Sequence, residues 1–270
     1  MCRLYGFRST VPRKVECELI QAQNALIRQS RRDERGEANA DGWGLATYRN
    51  GEPEVVRQAS PAYEDEQFRW QAARIHCTTV LAHVRHATVG EPRIENTHPF
   101  RYGRWLLAHN GHLAAFEALR PRLLEHMSAT HRAAIEGTTD SEHVFHFLLS
   151  LHERDPDRPL AEVMQAGLRQ IMAWSEEADP TAEVALNLLW TNGADLLASR
   201  LNRTLWYVQR DRVHPCDVDG ALHVEDDPGD DYRAVVIASE RITRNEDWVE
   251  VPEGTILHVD ADVRLHRCRL

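Results

Sequence analysis

Residues 1–7, MCRLYGF, put a cysteine directly behind the initiator methionine and in front of an apolar segment. Residues 2–8 have the composition of a short strand. In that strand Cys2 is either a small buried hydrophobe or a reactive group. The second alternative rests on covalent chemistry. A small side chain after methionine permits removal of Met1, and Cys2 would then carry a thiol and a free α-amine on one residue. Such a residue is a nucleophile with its own base.

Outward from this stretch, VECELIQAQNALI (15–27) has helical apolar spacing and runs into a polar, Gly-containing loop, RRDERGEANADGWG (31–44). LATYRNGEPEVV (45–56) predicts a hairpin around Asn50-Gly51. A helix near 62–75 is followed by the strand TTVLAHVR (78–85), a long loop holding ENTHPF (95–100), and the strand RWLLAH (104–109). Helical patterns then occupy 113–126, 141–153 and 159–176. The last third predicts a hairpin over 184–200 and strands at 204–209, 234–239 and 255–260. Strands at both ends with helices between them indicate α+β layers. The charged segments 152–159 and EDDPGDD (225–231) have the character of surface loops, so a single domain over 1–270 is expected. A break near 152–160 is the two-domain alternative.

The 270 residues carry a net charge of −10, with 42 acidic against 32 basic side chains, and Lys14 is the one lysine. An acidic chain without a basic stripe is a poor binder of phosphate backbones, so nucleic acid is not expected as a partner. Five cysteines (Cys2, Cys17, Cys77, Cys216, Cys268) are scattered without a C-x-x-C. The chain has neither the apolar region of a signal peptide nor an apolar run near the ~18 residues that span a bilayer. A reducing cytoplasmic setting without membrane contact is expected, which keeps the Cys2 thiol available.

Several side chains besides Cys2 have the right chemistry for a site. Arg85 ends an apolar strand and can present a planar charged fork to a carboxylate, or simply face solvent. Asn110-Gly111 has the sequence of a hairpin turn, yet it follows a strand and leads into a helical pattern. There, an amide and a glycine N–H could serve a developing oxyanion. Thr139 with Glu142 three residues later has the form of a capping box. Asp140 then becomes either a first-turn acid favoured by the helix dipole or a carboxylate for a substrate ammonium. The histidine pairs His83/His86, His109/His112 and His143/His146 lack an accompanying acidic ligand, and on a strand i and i+3 face opposite ways. Neither a metal nor a cofactor is expected.

Taken in order, Cys2, DGWG (41–44), AHVRHATVG (82–90), ENTHPF, AHNG (108–111), TTDSE (138–142), VVIASE (235–240) and WVEVPEG (248–254) resemble the class II glutamine amidotransferases, within the N-terminal-nucleophile hydrolase superfamily. The likeness runs from residue 2 to about residue 260 and is closest to the stand-alone bacterial members. It implies a four-layer α/β/β/α sandwich with two antiparallel sheets. It also implies roles: Cys2 as nucleophile with its α-amine as base, and Asn110 and the Gly111 N–H as oxyanion hole. Arg85 would grip the substrate α-carboxylate, Asp140 would pair with the α-ammonium, and Thr88 and His98 would line the pocket. His86 departs from several members, which carry an aromatic residue there.

The implied reaction is hydrolysis of the side-chain amide of glutamine, or of a γ-glutamyl amide, through a γ-glutamyl thioester. Its small-molecule substrate would carry a free amino-acid head group. Two alternatives stand beside it: an ammonia-donating subunit for a separate synthase, and a catalytically silent glutamine-binding protein.

Overall fold

The computed structural model describes residues 1–212 and 231–270. Cys216 and most of the acidic stretch 225–231 therefore lie outside the described residues. In chain order the elements are β1 (Arg3–Lys14), α1 (Leu26–Arg31), β2 (Trp43–Arg49), β3 (Glu52–Gln58), α2 (Glu66–Ala72) and β4 (His76–Val84). There follow β5 (Phe100–Tyr102), β6 (Trp105–Leu113), α3 (Phe116–Glu125), α4 (Ala129–Ala133), α5 (Asp140–Arg154) and α6 (Leu160–Ala178). The remainder are β7 (Val184–Thr191), β8 (Leu196–Arg200), β9 (Trp206–Arg210), β10 (Ala234–Ala238), β11 (Val249–Glu250), β12 (Thr255–Val259) and β13 (Leu265–Arg269).

Two antiparallel sheets result, ordered β11-β9-β10-β1-β4-β2-β3 and β13-β12-β8-β7-β6-β5. The period of two along each strand divides its side chains between two different cores. In β1, Leu4 faces an inner core shared with Leu106, Ala108 and Leu189 of the other sheet. Tyr5 and Phe7 face outward with Leu26 of α1 and Phe68 of α2. In β6, Leu107 joins a third cluster beneath the helices, with Leu123, Phe147 and Leu168. Helices thus cover both outer faces, and strands buried on both sides need apolar residues without alternation, as TTVLAHV has. This is the expected layered α+β sandwich. Helices α5 and α6 pack against the same sheet on either side of residues 155–159.

Several local expectations shift. The span 15–27 is not one helix. A π-helical turn, Cys17–Gln21, ends where Ala22 N–H bonds Cys17 O, and α1 starts only at Leu26. Asn24 between them is drawn off by Glu240 Oε2 (3.0 Å) and the main chain of Arg241 and Ile242, a tertiary demand that outweighs the local spacing. Asn50-Gly51 does form the β2–β3 turn, with φ of +53° and +83°. Strand β6 runs on to Leu113, so Asn110 and Gly111 lie inside it, opposite Asn187 and Leu186, and not at its exit. Thr139 caps α5 through Glu142 N–H (3.2 Å). Glu142, however, turns to the N–H groups of Glu136 (3.0 Å) and Gly137 (2.7 Å), which leaves the capping box half made.

Candidate active site

Cys2 precedes β1, whose first residue pairs Arg3 with Val84 at the end of β4. The register brings Cys2 beside Arg85. Its sulfur lies 3.3 Å from both the main-chain N–H and the C=O of His86, and the residue is 9% exposed. Burial pushes the Cys2 thiol above its ordinary value. The His86 N–H and the positive charges of Arg85, the amino terminus and Arg3 pull the other way.

Arg3 fixes the segment. Its guanidinium donates to Glu240 Oε1 (2.5 Å), Asp33 Oδ2 (2.8 Å), Cys2 O (3.0 Å) and Met1 O (2.9 Å). The Met1 ammonium is 2.9 Å from Glu37 Oε2 and 3.8 Å from Asp33 Oδ2. While Met1 is attached, the nitrogen of Cys2 is an amide and has no basicity.

Arg85 is buried. Its main chain bonds Gly42 O and Asp41 N of the DGWG loop, while Asp41 Oδ2 accepts from Ala87 N (2.7 Å) and sets the following bend. The side chain donates to the carbonyls of Val89 (2.9 Å), Gly90 (2.9 Å) and Glu91 (3.3 Å). These bonds leave Nε–H and one Nη1–H unspent among its five donors. Burial lowers its pKa, and the charges of Cys2, Asp41 and Asp140 oppose that shift.

Asn96 knits the same loop to the approach of α5. It donates to Glu91 O (3.0 Å) and accepts from Thr138 N (2.8 Å). Thr88 sits exposed on the bend, and nothing in the geometry assigns it to a pocket wall. His98 is buried, its ring 4.3 Å from that of His83 by centroids, and neither ring nitrogen has a partner. Burial drives His98 well below its ordinary pKa and His83 to about 3.

Asn110 and Gly111 project from β6. One Asn110 amide hydrogen goes to Ser239 Oγ (3.2 Å), and Ser239 also accepts from Leu4 N (2.9 Å), two residues after Cys2. Asn110 Oδ1 is buried without a protein partner. Gly111 has no room for a side chain, because a Cβ would collide with the main-chain oxygen of Ala185. Asp140, first residue of α5, accepts from Leu113 N through Oδ2 (2.8 Å) and from Ser141 N through Oδ1 (2.8 Å).

The pairing of β1 with β4 thus sets Cys2 beside the Arg85–His86 segment, Asp140 lies against the end of β6, and Ser239 ties Asn110 to the strand that follows Cys2. Sequence reasoning missed Arg3, Asn96, Ser141 and Ser239, and it assigned no partner to His83 or His109. His83 Nε2 donates to His109 O (3.1 Å), a bond that joins β4 to β6 across the two sheets. Among the described residues no group of three or more His, Cys, Asp or Glu side chains could hold a metal, and no helix is long and apolar enough to cross a membrane.

A family model described as class-II glutamine amidotransferases matches residues 1–266. A probable glutamine amidotransferase of Saccharomyces cerevisiae is 28% identical, over 96% of this chain and 82% of its own length. The γ-glutamyl-hercynylcysteine sulfoxide hydrolase of Mycolicibacterium smegmatis is 30% identical, over 97% of this chain and 98% of its own. Among solved structures, a glutamine aminotransferase class-II domain protein from Silicibacter pomeroyi superposes with a TM-score of 0.68 at 21% identity, covering 99% of this chain and 98% of that one. The glutamine phosphoribosylpyrophosphate amidotransferase of B. subtilis gives 0.63 at 17% identity, covering 99% of this chain and 49% of its own, and shares the fold.

Proposed function

The chain belongs to the class II glutamine amidotransferases, a family of enzymes, and from that premise we propose that it hydrolyses a γ-glutamyl amide through a thioester on Cys2, as a single domain. The observation that carries this reading is the buried Cys2 sulfur held 3.3 Å from the main chain of His86 where β1 and β4 pair, with the buried Arg85 immediately before it in the chain.

The chemistry runs from a free α-amine. An amine titrates near about 7.7–8.0 and a thiol near about 8.5. The two values lie close together, so the Cys2 amine can take the thiol proton as sulfur attacks the side-chain amide carbon. The second N–H of Asn110 and the N–H of Gly111 stabilise the tetrahedral oxyanion. Collapse breaks the C–N bond and the amine returns its proton to the leaving nitrogen. Water then adds to the γ-glutamyl thioester, which releases glutamate and the thiol. Arg85 and Asp140 hold the two charges of the amino-acid head group, and neutral His83 and His98 add no charge to the enclosure.

A γ-glutamyl amide of a larger amine is favoured over glutamine as an ammonia source by one fact. A relative that matches this chain end to end is named as a hydrolase of such a compound. The test is to incubate the purified protein, alone, with glutamine and with a panel of γ-glutamyl amides, and to quantify glutamate. Release of glutamate that Cys2→Ala abolishes supports the reading. Binding with no product from any amide overturns it, and a strict need for an added synthase transfers the chain to the ammonia-donating class.

A further inference from the structure

We infer that His109 is a positioning residue for Asp140: its ring takes the single hydroxyl proton of Ser141 and so keeps the outer lone pairs of Asp140 open to a substrate ammonium. The inference rests on the reading of Asp140 as the ammonium-binding carboxylate.

The hydrogens available around His109 decide which groups donate. His109 is 1% exposed, and its Nε2 lies 2.9 Å from the carbonyl oxygen of Ala185. A carbonyl only accepts, so Nε2 carries the hydrogen. Burial lowers the pKa of this ring, against the pull of Asp140, and a neutral ring with Nε2–H has a bare lone pair at Nδ1. Ser141 Oγ is 2.8 Å from that lone pair and must donate to it. The same oxygen is 3.2 Å from Asp140 Oδ1, but its one proton is already committed. Each carboxylate oxygen then accepts a single main-chain N–H, at 2.8 Å, and retains capacity facing away from the backbone.

His109 also lies under Gly111, where a Cβ would come 2.7 Å from its Nε2. One ring thus connects the oxyanion end of the site to the head-group end. Removing its acceptor would free the Ser141 hydroxyl to turn onto Asp140 Oδ1 and compete with the substrate.

Steady-state kinetics on the best amide substrate test this with His109→Leu, Ser141→Ala and the double variant. His109→Leu should raise KM roughly three- to tenfold with kcat changed less than about twofold, the scale of one added hydrogen bond. Adding Ser141→Ala to it should return KM to that of Ser141→Ala alone, because the misdirected hydroxyl is gone. Loss of packing could not be repaired by a second deletion, so a double variant as impaired as His109→Leu overturns the inference. Asp140→Asn, run beside them, separates the two levels. A raised KM there upholds the head-group reading whatever His109 does, whereas an unchanged KM defeats that reading and this inference together. If His109→Leu does not fold, nitrogen NMR of the wild-type imidazole decides alone: a neutral Nε2–H ring is expected, and an Nδ1–H or doubly protonated ring overturns the proposal.

Discussion

Arg3 Nε donates to Glu240 Oε1 at 2.5 Å, and this bond joins residues 237 apart in the chain at the side of Cys2. Both side chains are buried, at 3% and 1% exposure, and the Arg3 fork also reaches Asp33 and the carbonyl of Cys2. A buried charge left without its partner is costly. Arg3→Gln should therefore lower the unfolding free energy by about 3–5 kcal/mol, read from urea titration. A loss below about 1 kcal/mol, the range of exposed pairs, would mean the cluster does not anchor the strand.

Cys2→Ala deletes the sulfur without opening a large cavity. Glutamate release should vanish while calorimetric binding of the substrate persists. Turnover within tenfold of wild type would remove Cys2 from the mechanism.

Arg85→Lys exchanges a planar fork for a point charge. The expected fall in kcat/KM corresponds to about 1.5–3 kcal/mol, the worth of hydrogen bonds to a charged group. Kinetically silent lysine would show that the guanidinium does not touch the substrate carboxylate.

Asn110→Ala should act on the other end of the substrate. Loss of an oxyanion donor costs about 10²–10³ in kcat, with KM nearly constant. A change confined to KM would assign Asn110 to binding alone.

The pH dependence of stability has a defined sign. Burial holds His83 near 3 and His146 near 4, and pushes His98 down as well, so these rings stay neutral in the fold. Below about 6.5 the unfolded chain binds protons that the folded chain refuses. Their stabilisation is therefore complete above about 6.5 and is lost as pH falls toward the folded values, at up to about 1.4 kcal/mol per pH unit for each ring. The acids Asp33, Asp65 and Asp195, whose pKa values are lowered, contribute only further down. Glu34 and Glu142, raised by burial, act in the opposite sense. Urea midpoints should fall from pH 7 to pH 5; a flat or rising profile contradicts neutral burial.

What the sequence discloses and what it hides follow from range. TTVLAHV carries its double burial in its own composition, and Asn50-Gly51 carries its turn, because both are local matters. The same dipeptide at Asn110-Gly111 lies in mid-strand, where pairing with β7 overrides turn propensity. The π-turn at Cys17–Gln21 is hidden for a similar reason, since Asn24 answers to Glu240. Of the candidate site, the chemically distinctive residues Cys2, Arg85, Asn110 and Asp140 stand out in order along the chain. The residues that hold them do not: the His83–His109 bond spans two sheets and the Arg3–Glu240 pair spans nearly the whole chain. Nothing in nearby spacing signals contacts of that kind.

In the proposed reaction the active form has Cys2 as a free amino terminus and uses its sulfur as nucleophile. Intact-mass analysis of an active preparation, before and after reaction with a glutamine analogue bearing an electrophilic ketone in place of the amide, tests it most directly. The expected result is a chain that lacks Met1, one adduct on Cys2, and loss of activity in proportion to labelling. Full activity in a preparation that retains Met1 throughout, or inactivation with the label on another residue, would contradict it.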